Sequence, residues 1–160
     1  MNNNILTQKE LTHLKHAIEL AQTAVKVGDA PFGAVIYSDR ILAATHNLTV
    51  AEGDPTLHAE MVAIREACRK HGVKSLVGST IYSSCEPCLM CLYAIYYAQI
   101  SKVVFAATLE DAINYGSGDP FITTAQINKQ GNLNLQLIVG PGREEVISIF
   151  EQRIKNAGHL

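Results

Sequence analysis

Leu11, Leu14, Ile18, Ala21 and Val25 recur at steps of three and four residues, the spacing that gathers side chains along one side of an α-helix. Thr7-Gln8-Lys9-Glu10 stands at the start of this run and fits a capping box, in which Thr and Glu satisfy backbone N–H groups at the helix entry. Gly28 suits the helix exit. Beyond it the pattern shortens. Gly33–Tyr37 and Ile41–Ala44 are brief apolar runs separated by Ser38-Asp39-Arg40, which predicts a β-hairpin. A polar loop, Glu52-Gly53-Asp54-Pro55-Thr56, leads into a predicted helix from about His58 to His71, stopped by Gly72.

Thr80–Ser84 reads as a strand, and Pro87 suits the first turn of a mostly apolar helix reaching about Ala98. Lys102–Thr108 contains Val-Val-Phe-Ala-Ala, a buried strand. Strand, helix and strand in that order predict a right-handed parallel crossover. Leu133, Leu135, Leu137 and Val139 alternate and predict one more strand. Arg143–Ala157 closes the pattern as a helix, with Val146, Ile149, Phe150 and Ile154 on one side. Helices on both faces of about five strands make an α/β fold of three layers.

Composition narrows the picture. The chain has 160 residues, 48% of them hydrophobic and 18% charged: enough apolar material for one core, and a length typical of one domain. No linker or repeat divides it, so residues 1–160 are expected to form a single domain. Thirteen Lys+Arg against fifteen Asp+Glu leave a net charge of −2. Binding driven by phosphate counterion release needs a cationic surplus that this chain lacks, so nucleic acid is not the expected partner. No apolar run approaches the ~20 residues of a membrane span, and Met1–Ile5 lacks the parts of an export signal. A cytoplasmic location is the expectation.

Chemistry concentrates in two places. His58-Ala59-Glu60 opens one predicted helix, and Cys85-Glu86-Pro87-Cys88-Leu89-Met90-Cys91 opens the next. Without an export signal, clustered cysteines read as metal ligands before disulfides. His58, Cys88 and Cys91 offer three ligands to Zn²⁺, which prefers four tetrahedral positions, and an open fourth position is the mark of a catalytic site holding a water. Glu60, two residues past His58, is free to carry protons. Cys85 reads as a core or supporting residue; were it a fourth ligand, the site would be a structural zinc module that presents a surface to a protein partner. Cys68 reads as packing, and the other five histidines have no such neighbours.

His-x-Glu together with Pro-Cys-x-x-Cys is the signature of zinc deaminases acting on nucleobases. With Pro31-Phe32-Gly33-Ala34-Val35, Asp54–Glu60 and Ser84–Cys91, the chain resembles the cytidine/deoxycytidylate deaminase superfamily from about Leu11 to Ile122, and within it the bacterial guanine deaminases and the related tRNA adenosine deaminases. The resemblance implies a cytidine deaminase-like α/β/α sandwich on a mixed five-stranded sheet, one Zn²⁺ with a catalytic water, and hydrolytic loss of an exocyclic amine as ammonia. It implies metal ligation by His58, Cys88 and Cys91, proton transfer by Glu60, and base contacts from Asn47 and from the backbone of Ala59. Phe32 and Tyr97 are the candidate aromatic contacts.

Asp119, in Asp111–Ile122, matches an aspartate that in guanine deaminases faces the substrate's amine. That segment and Ser83–Cys88 favour guanine to xanthine as the reaction. Adenosine in tRNA, or another amino-heterocycle such as cytosine or an isocytosine-like ring, is the alternative. The same resemblance suggests a homodimer, with the segment after about residue 122 exchanged between subunits.

Overall fold

The computed structural model describes residues 5–160; the reading of Met1–Asn4 as carrying no export signal lies outside them. Eleven elements follow in order: α1 (Gln8–Lys26), β1 (Gly33–Tyr37), β2 (Ile41–His46), α2 (Ala59–His71), β3 (Thr80–Cys85), α3 (Leu89–Tyr97), β4 (Lys102–Ala107), α4 (Leu109–Asn114), α5 (Thr124–Gln130), β5 (Gln136–Val139) and α6 (Arg143–Ala157). The expected capping box of α1 is formed, with the Thr7 side chain accepting from Glu10 N–H and Glu10 accepting from Thr7.

The five strands make one sheet in the order β2-β1-β3-β4-β5. β1 runs antiparallel to β2 and β3, while β3, β4 and β5 are parallel. The sheet is therefore mixed, and the predicted crossover joins β3 to β4 through α3. Alternate residues supply two cores, as the two-residue period of a strand requires. Ala34, Ile36, Ile81, Val103 and Phe105 face one cluster with α2 and α3. Val35, Tyr82, Val104 and Ala106 face the other with α1 and α6.

Gly33 fixes the spacing between α1 and the sheet. A Cβ there would lie 2.2 Å from Ala17 O and 2.6 Å from Ala21 N, so the helix backbone rests directly on the first residue of β1.

The topology also decides where function can sit. β2 and β3 are both antiparallel to β1, so both end at the same edge of the sheet, and the helices that follow them begin there. β1 starts at that edge, and β4, parallel to β3, ends there. The loops before β1 and after β2, β3 and β4 thus converge at the carboxyl ends of the parallel strands, the usual place for ligands in α/β sheets.

Four sequence expectations needed adjustment. Pro87 lies outside α3, because Cys88 is the helix N-cap and helical geometry starts at Leu89. The alternation near Leu133 becomes strand only from Gln136, since Asn132 and Asn134 adopt positive φ of 50° and 56° and turn the chain. Val139, at the edge, faces solvent. Two short helices between β4 and β5 were not foreseen, although Thr108-Leu109-Glu110-Asp111 and Thr123-Thr124-Ala125-Gln126 both form capping-box pairings.

Candidate active site

His58 is the N-cap residue of α2, and Cys88 is the N-cap residue of α3. Neither side chain caps its own helix, so both are free to turn towards the space between the two helix ends. Cys91, one turn into α3 and fully buried, completes the group. One ligand atom from each of His58, Cys88 and Cys91 lies within 4.8 Å of the others. Cys88 Sγ is 3.5 Å from His58 Nδ1.

The donor chemistry fits Zn²⁺: two sulfurs and an imidazole nitrogen, supplied by two separate helix N-termini. Without metal, the Cys91 thiol and the His58 ring both bond to Cys88 sulfur, Cys91 having the larger effect, and they bring its thiol down to about 4. The same contact with Cys88 pushes His58 up to about 9. Cys91, which donates to the Cys88 sulfur and is buried, stays well above the usual thiol range. The three side chains therefore share protons in close contact, an arrangement in which a soft cation can replace them.

Cys85 stands outside the trio. It ends β3, its Sγ donates to Thr108 O at 3.3 Å, and burial keeps its thiol strongly protonated. A zinc ligated by all three clustered cysteines is therefore not the geometry present. Cys68, in α2, packs on the core, as expected.

Glu60 is buried on the first turn of α2. Its Oε1 accepts from Ser83 Oγ at 2.8 Å, and its Oε2 lies 3.5 Å from Cys91 Sγ. Burial, and secondarily the Cys88 charge, push its pKa upward, against the lowering effects of His58 and Ser83. A carboxylate whose proton is held more readily than usual, beside a metal-binding trio, is suited to accept and return protons.

Glu60 and Asp119 line one small hollow with Phe32, His58, Cys85, Glu86 and Cys88. Its volume of about 30 Å³ is room for a water. The hollow adjoins a cavity of about 340 Å³ bounded by Phe32, Asn47, Thr49, His58, Asp119 and Leu160. A further hollow of about 310 Å³ lies on the Cys88 side, against Leu89, Met90 and Pro120. Asp119 is half-buried, and burial followed by the Cys88 charge raises its pKa.

The sequence-predicted residues are thus largely brought together: His58, Cys88, Cys91, Glu60, Asp119, Asn47 and Phe32. Ala59 is fully buried, and its carbonyl accepts from Thr45 Oγ1 at 2.9 Å. Tyr97 lies elsewhere. It is 75% exposed on the end of α3 and borders a different hollow with Tyr96, Gln99 and Leu133, because the last turn of α3 points away from the helix end that carries the ligands.

Three supporting residues escaped sequence reasoning. Ser83 holds Glu60. Asp29, before β1, accepts from Asn47 Nδ2 at 2.8 Å. Glu86, buried between Cys85 and the Pro87-Cys88 turn, accepts from Leu109 N–H at 3.0 Å and from Thr124 N–H at 2.7 Å. It thereby joins the first residues of α4 and α5, the helices that bracket the Asp119 loop. Glu86 stands in the quoted Cys-Glu-Pro-Cys run and could have been suspected; Ser83 and Asp29 carry no local signal.

The family model for the cytidine and deoxycytidylate deaminase zinc-binding region matches residues 7–107. The chain belongs to this family, whose members are zinc-dependent hydrolases that deaminate cyclic amidines. Within it, the chain is 47% identical over 113 residues to the guanine deaminase of Bacillus subtilis (strain 168), a match covering 69% of this chain and 72% of the relative. It is 44% identical over 95 residues to the tRNA-specific adenosine deaminase of Aquifex aeolicus (strain VF5), covering 59% and 63%. A solved structure from work on A-to-I editing by tRNA:A34 deaminases superimposes with a TM-score of 0.75 at 28% identity, covering 87% of this chain and 99% of that one. No helix among the described residues is long and apolar enough to cross a membrane.

Proposed function

We propose that the protein converts guanine and water to xanthine and ammonia. The observation that carries this reading is the pair of carboxylates, Glu60 and Asp119, on the walls of one hollow beside His58 and Cys88. The 47% identity to a guanine deaminase supports it, as does a cavity of about 340 Å³, at the small end of the range for small-molecule sites.

His58, Cys88 and Cys91 would hold the zinc, which when bound supplies a water of pKa about 7 as the nucleophile and polarises the bond under attack. Glu60 accepts a proton and returns it to the ring nitrogen next to the amine-bearing carbon, C2, removing the ring's resistance to addition. Asp119 faces the departing amine and relays to it the proton of the hydroxyl newly bonded to C2, so that the C–N bond breaks, ammonia leaves and the carbonyl of xanthine forms. Phe32 borders one face of the cavity, and Asn47 and the Ala59 backbone address the ring edge. A homodimer working in the cytoplasm, within purine metabolism, belongs to the same proposal.

The test is ammonia release from guanine, cytosine, isocytosine, adenine and guanosine, with an anticodon stem-loop as competitor. Guanine is expected to lead. The tRNA relatives favour the second reading, and inosine formation in the stem-loop in preference to free guanine would replace the first by it. Glu60→Ala should keep its zinc and lose about 10²–10⁴-fold in turnover, the usual contribution of a positioned acid–base. Near-normal turnover in that variant would remove Glu60 from the mechanism.

A further inference from the structure

Asn47 is 1% exposed just beyond the end of β2 and borders the cavity of about 340 Å³. Its amide nitrogen is already committed. Nδ2 lies 2.8 Å from Asp29 Oδ1 and 2.7 Å from Thr49 Oγ1, so an acceptor stands ready for each of its two N–H groups. Asp29 is equally buried. Its carboxylate also accepts from Ala30 N–H at 2.8 Å and from Ala51 N–H at 2.9 Å, which anchors it to the loops before β1 and after β2.

A carboxylate accepts and cannot donate. Were the Asn47 amide turned by half a rotation, its carbonyl oxygen would face Asp29 Oδ1 with no proton between them, setting acceptor against acceptor in a buried place. Asp29 therefore dictates the orientation, and Oδ1 of Asn47, with no protein donor bonded to it among the described residues, is the polar atom left for the cavity.

We propose that Asp29 is a positioning residue that locks Asn47 as a hydrogen-bond acceptor and thereby restricts the site to ring substrates presenting an N–H at that edge. This deepens the guanine reading and rests on it. Guanine, a lactam with N–H groups on both of its rings, meets the requirement, and a ring offering only bare nitrogens there would leave Asn47 Oδ1 buried without a partner, a strong basis for rejection.

The test compares Asp29→Asn, Asn47→Asp and the double exchange, each checked for zinc content and for folding by circular dichroism. Asp29→Asn releases the lock, because asparagine can donate to a turned Asn47; KM for guanine should rise at least tenfold, with kcat changed less than threefold. Asn47→Asp, which sets carboxylate against carboxylate, should be worse. The double variant restores one amide and one carboxylate, and the carboxylate, now at position 47, is again an acceptor towards the cavity. Its kcat/KM should exceed that of Asn47→Asp at least tenfold, a recovery that a merely structural role would not produce.

A KM within twofold of the natural protein in folded Asp29→Asn overturns the proposal. Should either single variant fail to fold, the double variant decides alone: kcat/KM within thirtyfold of the natural protein supports the lock, and a larger loss in folded, zinc-loaded protein refutes it. If the natural protein releases no ammonia from guanine, the proposed reaction fails separately, and the same comparison is made on the ring amine that it does turn over.

Discussion

Ser83→Ala isolates the contact that aims the proposed acid–base residue. Ser83 lies in the middle of β3, 1% exposed, and donates to Glu60 Oε1 at 2.8 Å. The substitution removes one oxygen from a rigid strand and leaves the metal-binding trio untouched. A hydrogen bond to a charged group contributes about 1.5–3 kcal/mol. At about 1.36 kcal/mol per decade, the whole of that loss falling on the transition state would slow turnover by roughly 10- to 150-fold. It should appear in kcat, because Ser83 holds a proton carrier and does not border the substrate cavity. Ammonia release under saturating guanine measures it, with bound zinc assayed on the same preparation. A kcat within twofold of the natural protein at full zinc occupancy would refute the argument that Ser83 sets the working position of Glu60.

Two further outcomes concern the scaffold. Gly33→Ala places a methyl group 2.2 Å from Ala17 O, and overpacking against backbone costs about 1–3 kcal/mol; a fall of roughly 2–12 °C in Tm is expected, and an unchanged Tm would show that α1 can retreat freely. Glu10 pairs with Lys102, and that contact holds its carboxyl at about 2. Because this folded-state value is depressed, the stabilisation is present above the unfolded pKa of about 4.5 and is lost as pH falls from there towards 2. Glu10→Gln, which retains the helix cap, should be less stable than the natural protein by about 1 kcal/mol at neutral pH after solvent screening, the gap closing below pH 4.5. A gap that persists at pH 2 in urea titrations would exclude the ion pair as its source.

Legibility differed by element. α1, α2 and α6 were readable because helical periodicity, and for the first two an end signal at Thr7 or Gly72, is a local property. The β3-α3-β4 crossover was readable because Thr80–Ser84 is rich in strand-favouring residues, Val103–Ala107 is an apolar run, and one short helix separates them. α4 and α5 were obscured, at six and seven residues, by their polar composition, and they persist because Glu86 satisfies N–H groups at both of their starts. The grouping of His58, Cys88 and Cys91 was legible because residue types that bind zinc stood at fixed offsets around helix starts, and Glu60 falls beside them. Tyr97 lies apart from the site because it is six residues beyond Cys91, about 1.7 turns of helix, which places it at the far end of α3 and on a different side of it.

By itself, the order of residues determined the helices, the strands, the membership of the deaminase family and the donor set for zinc. These follow from short-range periodicity and from motif offsets of a few residues. Only the fold decided that Ser83 supports Glu60, that Asp29 orients Asn47 and that Glu86 joins α4 to α5. Each of these pairs is 18 or more residues apart in the chain; the first two meet because β1 runs antiparallel to β2 and β3, and the third because the parallel β3 and β4 end side by side. Hydrogen-bond direction is set by which atoms arrive there, and no local sequence pattern carries that information.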